Sequence, residues 1–214
     1  MKPPPFSYHD PGTVGGVINL LKTLENPKLL AGGQSLMPML NMRYVMPDNI
    51  IDLNKVDGLS YIEENNTGIN IGGMTLQRDL EFSDLIKKKC PLMNDALQQV
   101  GHRQTRNRGT IGGSLSHLDP AAELPAVCAA HDAVIVLQGP KGEREIPFSD
   151  FPIAYMTPAT EIDELLTGVK ITSWKDGHGY AFIEFARRHG DFAITSAAAL
   201  LEVDGAGAIT RASL

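Results

Sequence analysis

Cysteine is nearly absent: Cys90 and Cys128 are the only two in 214 residues. Two thiols exclude a disulfide scaffold, and they exclude a four-thiolate iron–sulfur cluster or zinc site built by this chain alone. Basic charge is scarce too. Against 25 Asp and Glu stand 19 Lys and Arg, a formal net charge of −6, which disfavours nucleic acid and anionic lipid as partners. No apolar run approaches the ~18 residues of a membrane helix; the most apolar stretch, Leu124–Leu137, contains His131 and Asp132. The opening Met1-Lys2-Pro3-Pro4-Pro5 has no apolar signal-peptide core. Neither the Gly-x-Gly-x-x-Gly dinucleotide pattern nor a phosphate loop ending in Gly-Lys-Ser/Thr occurs. The histidines show no His-x-x-x-His spacing, so no metal site is expected. These absences lead to the expectation of a cytoplasmic protein with neither membrane insertion nor nucleic acid.

Glycine is in surplus, with 21 residues where about 15 are usual for this length. Much of the excess lies in the doublets Gly15-Gly16, Gly32-Gly33, Gly72-Gly73 and Gly112-Gly113. The last three follow short apolar stretches, which reads as strands ending in turns that need positive φ or close backbone approach. Residues 13–53 read as helix, strand, Gly-rich turn, helix and strand, a βαβ unit with parallel pairing and Thr13 as the first N-cap. A hairpin is expected across Asn65-Asn66-Thr67-Gly68, then helices over 75–89 and 92–102. The segment from His102 to Gly109 is polar and reads as a loop. A helix from about Pro120 to Ala130 has Asp119 as its expected N-cap. Strands are expected over 133–137, 144–147, 164–171, 181–188 and 193–203, with Ala208–Leu214 as a final hairpin strand. The whole is α+β, divided as 1–57, an α/β subdomain; 58–175, a second and mainly antiparallel subdomain; and 176–214, the start of a C-terminal domain. A last strand without a following element leaves an open edge, so a continuation beyond residue 214 is expected.

Two glycine segments carry the candidate chemistry. In Ala31-Gly32-Gly33-Gln34-Ser35-Leu36, between a strand and a helix, backbone amides can converge on an anion and the helix N-terminus adds partial positive charge. An ordinary strand-to-helix turn has the same pattern. The second, Thr110-Ile111-Gly112-Gly113-Ser114, could clasp the same diphosphate from the other side, which favours a large dinucleotide such as FAD; two unrelated turns remain the alternative. Arg103, Arg106 and Arg108 read as a solvated basic face. His117 and Asp119 lack a nucleophile partner, so no catalytic side chain is assigned.

These two runs, the intervening Arg106-Asn107-Arg108-Gly109, the following Asp119-Pro120-Ala121-Ala122-Glu123 and the later Phe185-Ala186-Arg187-Arg188-His189-Gly190-Asp191-Phe192-Ala193 together resemble the FAD-binding medium subunits of molybdenum hydroxylases, the carbon monoxide dehydrogenase, xanthine dehydrogenase and quinoline oxidoreductase family. The resemblance covers nearly the whole chain. It implies a two-subdomain FAD-binding fold of the molybdenum-hydroxylase and vanillyl-alcohol-oxidase type, with a C-terminal domain only begun here. It implies that Ala31, Gly32, Gly33, Gln34, Ser35 and Leu36 hold the FAD diphosphate, and that Thr110, Ile111, Gly112, Gly113 and Ser114 hold it from the second subdomain. Glu123 matches an acidic position touching the flavin nucleotide, and Leu166 a strand residue near the ring. Phe192 falls where relatives often place a tyrosine over the isoalloxazine, and Glu184 where some have a flavin-contacting lysine. The implied function is electron transfer. A molybdenum-binding large subunit with molybdopterin oxidises the substrate, a small [2Fe–2S] subunit passes electrons on, and this chain's FAD delivers them to an acceptor, in a dimer of heterotrimers. The alternatives are a self-contained FAD-dependent oxidase or reductase of the same binding fold, and a nucleotide-binding module without redox activity.

Overall fold

A computed structural model describes all 214 residues. The N-terminal part is a parallel sheet of β1 (Ser7–His9), β2 (Pro27–Leu30) and β3 (Asn49–Asp52) in the order β1-β3-β2. Helix α1 (Val14–Thr23) joins β1 to β2, and α2 (Leu36–Asn41) joins β2 to β3. The Thr13 hydroxyl caps α1 by accepting from the Gly16 amide at 3.1 Å. Val17 and Leu21, one turn apart, bury against Ile51 and Leu53, with Val56, Leu59 and Leu165 closing this small core.

The second part begins with the expected hairpin, β4 (Ile62–Glu64) and β5 (Gly68–Gly72). Six helices follow: α3 (Gln77–Phe82), α4 (Asp84–Lys89), α5 (Pro91–Gln99), the single turn α6 (Arg103–Arg106), α7 (Ile111–His117) and α8 (Glu123–Ala130). Then come the hairpin β6 (Val134–Gly139) and β7 (Gly142–Pro147), the small ribbon β8 (Pro152–Ala154) and β9 (Thr157–Pro158), and β10 (Leu165–Thr172). β10 inserts between β5 and β6, antiparallel to both, giving a five-stranded sheet β4-β5-β10-β6-β7. Alternate residues Ile69, Ile71, Ile135, Leu137, Val169 and Ile171 face the helices, which answer with Leu92, Met93, Leu97, Ile111, Leu115, Leu124 and Val127. The period-2 pattern on the strands and the helical pattern opposite make the main core.

A separate antiparallel sheet, β11 (Gly179–Ala186), β12 (Ala193–Val203) and β13 (Ile209–Ser213), ends the chain. It packs onto the main core through Leu200, flanked by Phe182 and Ala198. Arg211 of β13 stacks over the buried Trp174 ring, 3.8 Å from its centroid.

Several local expectations change. β1, short and largely exposed, has no apolar alternation and exists through its pairing with β3. The helix expected over 75–89 breaks at Ser83, whose extended backbone ends α3 and whose hydroxyl caps α4 by accepting from the Ile86 amide at 3.3 Å. The expected loop 102–109 contains α6. The Gly112-Gly113 doublet opens a helix rather than ending a strand, because the Thr110 hydroxyl caps that segment as α7. Asp119 makes a turn by accepting from the Ala121 amide at 2.9 Å, and α8 starts only at Glu123 after Ala122. Of the residues in the four doublets, Gly33 alone has positive φ, at +73°.

Candidate functional site

The first glycine segment is a turn with its amides left free. β2 ends at Leu30, whose carbonyl accepts from the Leu53 amide at 2.9 Å, and the Ala31 carbonyl accepts from the Asn54 side chain at 3.2 Å. Asn54 is itself held by Asp52 Oδ1 at 2.6 Å. Gly33 then turns left-handed, and the chain enters α2 with its first bond from the Met37 amide to the Gly33 carbonyl at 3.1 Å. The five successive N–H groups from Gly32 to Leu36 donate to nothing within the protein. The Ser35 hydroxyl makes no capping bond either. Helix starts always leave orphan donors; here the run of unpartnered amides begins before the helix and spans the left-handed Gly33, and successive free backbone N–H groups of this kind can bind an anion.

The second segment abuts the first. A Cβ on Gly32 would collide with the Arg108 carbonyl and would lie 2.8 Å from Gly109 Cα, while one on Gly113 would lie 3.5 Å from Ala31 Cβ. Tertiary structure therefore brings the two glycine segments together. Their amides differ, however. Ile111 donates to the Thr75 carbonyl at 3.1 Å, Gly112 to the Gly73 carbonyl at 2.9 Å, Gly113 to the Thr110 hydroxyl at 3.0 Å and Ser114 to the Thr110 carbonyl at 3.1 Å. All four are engaged. Gly112 is a packing glycine: a Cβ there would stand 2.5 Å from the Gly73 carbonyl oxygen. The Ser114 hydroxyl, by contrast, makes no hydrogen bond within the protein.

The other candidate residues come from α8, β10 and the last sheet. Leu166, 5% exposed, is in the main core just before the β10 bulge. Its carbonyl would be 2.5 Å from a Cβ on Gly73, so it adjoins the glycine that supports α7. Glu123 opens α8; burial pushes its carboxyl up to about 7, and the neighbouring Glu184 and Asp119 carboxylates add to the rise. Glu184 on β11 is also raised by burial, and its Oε2 is buried and hydrogen-bonded to nothing. Phe192 projects from the β11–β12 hairpin with 74% of its surface exposed. That hairpin turns at Gly190, φ +87°, inside an Arg188–Asp191 ion pair of 3.1 Å.

Arg106 departs from the expected solvated face. It is 8% exposed, its guanidinium makes a two-pronged pair with Glu81 at 2.7 and 3.1 Å, and it donates to the Val100 carbonyl at 3.0 Å. Arg103 and Arg108 are exposed, and the Arg108 charge helps hold the Asp52 carboxyl low, together with hydrogen bonds from Tyr8 and Asn54, against the opposing effect of burial. Sequence reasoning missed Asn54, which pins the first turn, and the Glu81–Arg106 anchor. The latter left no local signal, because its segment is too polar to suggest burial. No group of three or more His, Cys, Asp or Glu is placed to hold a metal ion, and no helix is long and apolar enough to cross a membrane.

Comparison with known proteins identifies the family. Residues 4–174 match the family described as the FAD binding domain in molybdopterin dehydrogenase. The chain is 40% identical to the 6-hydroxypseudooxynicotine dehydrogenase complex subunit alpha of Paenarthrobacter nicotinovorans, over all of this chain and 73% of that protein. It is 37% identical to the glyceraldehyde dehydrogenase medium chain of Sulfolobus acidocaldarius, over 96% of this chain and 73% of the relative. Among solved structures, carbon monoxide dehydrogenase from Hydrogenophaga pseudoflava superposes with a TM-score of 0.96 at 36% identity, covering 99% of this chain and 74% of that one. Quinoline 2-oxidoreductase from Pseudomonas putida 86 gives a TM-score of 0.94 at 34% identity, covering 99% and 73%.

Proposed function

The chain belongs to the FAD-binding domain family of the molybdopterin dehydrogenases, and from that premise we propose that it takes electrons from an iron–sulfur subunit and passes them to an external acceptor. In this reading a molybdenum-binding large subunit with molybdopterin oxidises the substrate, a small subunit carries [2Fe–2S], and the assembly is a cytoplasmic dimer of heterotrimers. The observation that carries the cofactor assignment is the run of free amides from Gly32 to Leu36, set against the Arg108–Ser114 segment. A diphosphate fits such a run because its oxygens accept several N–H bonds at once without any cationic side chain.

The residues divide the work. Ala31 to Leu36 bind the diphosphate through their amides and the Ser35 hydroxyl. Thr110 to Ser114 present Ser114 from the other side and keep α7 close enough for it to reach. Glu123, protonated near neutrality, can donate one hydrogen bond to the nucleotide. Leu166 and Phe192 supply apolar contact near the ring. FAD, when bound, supplies the electron exchange that joins a one-electron iron–sulfur donor to a one- or two-electron acceptor. Both thiols of this chain are fully buried, which supports placing the cluster donor on a partner.

Native purification with flavin and metal analysis tests the reading. FAD should follow this chain, and molybdenum and iron should follow co-purifying subunits. A homogeneous preparation without molybdenum or iron that turns over an organic substrate at a normal rate would establish a self-contained flavoenzyme instead.

A further inference from the structure

The hairpin that carries Phe192 rests on another element. A Cβ on Gly190 would lie 2.5 Å from His102 Cε1, 2.7 Å from His102 Nδ1 and 3.2 Å from the Gly101 carbonyl oxygen. The imidazole therefore lies directly against the Gly190 backbone. Glycine is required there twice, for its positive φ and for the missing Cβ. His102 immediately precedes α6, and its side chain caps nothing. Its ring is free of the helix it introduces and is used against the hairpin.

α6 is a firm support. Arg106 ties it to Glu81 on α3 and to the carbonyl of Val100 after α5. Beyond its other end, the Arg108 carbonyl packs on Gly32. One anchored turn thus touches the Phe192 hairpin at its start and the amide cradle at its finish. The Arg188–Asp191 pair closes the hairpin around Gly190, so a shift at Gly190 is passed to Phe192 two residues on.

We propose that His102 is a positioning residue that sets where the Phe192 ring stands relative to the cofactor site. The inference rests on the flavin reading above. A ring packed against a glycine acts by shape, so phenylalanine should replace it and alanine should not.

The test compares His102→Ala, Gly190→Ala, His102→Phe, Phe192→Ala and the double variant His102→Ala/Phe192→Ala in the native protein with its partner subunits. The readouts are FAD content, visible-region circular dichroism of the bound flavin, and reoxidation by oxygen after chemical reduction. His102→Ala and Gly190→Ala should keep full FAD content, change the dichroism and speed reoxidation by about twofold to tenfold, the range of one lost aromatic contact. His102→Phe should restore the native values, and the double variant should match Phe192→Ala alone. Native dichroism and rate in His102→Ala, loss of FAD from it, or multiplying effects in the double variant would each overturn the inference. Should Phe192→Ala itself be silent, the placement of Phe192 at the flavin falls and takes the inference with it. Should Phe192→Ala respond while His102→Ala does not, the inference alone falls. Gly190→Ala keeps the test open if His102→Ala folds poorly.

Discussion

Gly32 and Gly33 are neighbours required for different reasons. Gly32 has no room, because the Arg108 carbonyl lies where its side chain would be, whereas Gly33 needs its backbone angle of +73°, and a Cβ on it would lie 3.1 Å from Met37 Cγ. Gly33→Val should abolish flavin retention, with a stability loss of about 1–3 kcal/mol from the strained backbone. Gly112→Val should do the reverse. Its first effect is on the fold, since the new Cβ would meet the Gly73 carbonyl oxygen at 2.5 Å and push α7 off β5. Flavin absorbance and melting temperature, measured together on both variants, separate the two roles. Glu123 gives a residue-scale pH effect. Burial raises its carboxyl from 4.5 to about 7, so between those values the folded protein holds a proton that the unfolded chain has released. Stability from this group is therefore greatest below the unfolded value and falls as pH rises through the folded one. Above pH 7 the penalty is roughly 3 kcal/mol. Glu123→Gln should stabilise the flavin-free protein by up to that amount at pH 8 and be nearly neutral at pH 4, by urea titration.

Among the elements, the four-residue turn α6 links more of the site than its size suggests. Its hydrogen bonds are local and its length is below what an isolated helix can sustain, so the Glu81–Arg106 pair holds it. That pair is mostly buried, with side-chain exposures of 14% and 10%. Arg106→Ala would leave the Glu81 carboxylate unpaired in a poor solvent, at a cost of about 3–5 kcal/mol. Thermal unfolding should show that loss, and Glu81→Gln/Arg106→Met should recover most of it, since a neutral pair leaves no unpaired charge in the buried site. An Arg106→Ala variant as stable as the parent would show that α6 is supported elsewhere.

At the scale of the molecule, the question is whether the β11–β13 sheet is a unit of its own. It pairs with no strand of the other sheets, yet Leu200 is fully buried in the main core and Arg211 covers Trp174. Those contacts lead us to expect a single cooperative transition. Leu200→Ala should lower stability by about 2–5 kcal/mol within a single calorimetric transition. A second, separate transition would show that residues 176–214 fold independently. The cradle and the Phe192 hairpin occupy opposite ends of α6, so a loosened sheet should also alter the bound flavin's dichroism while leaving FAD content unchanged.

The amino-acid sequence by itself determined the α+β class, the parallel first unit and most strands, because these depend on local apolar period and on turn residues such as Asn65 to Gly68. It also determined that Ala31 to Leu36 form a strand-to-helix turn, since glycine beside a strand end has few other uses. The resemblance in the ordered motifs carried the family. Tertiary structure alone decided that the Arg108 carbonyl meets Gly32 and that β10 inserts between β5 and β6, because neither contact leaves a mark in local periodicity. It alone showed that the amides of Ile111 to Ser114 are already engaged, by Thr75, Gly73 and Thr110, and that those of Gly32 to Leu36 are free. The burial of Arg106 and the seat of Gly190 on His102 have the same origin. Each depends on a partner distant in sequence, and the energy of a polar or close-packed contact resides in that partner's placement rather than in the residue's own preference.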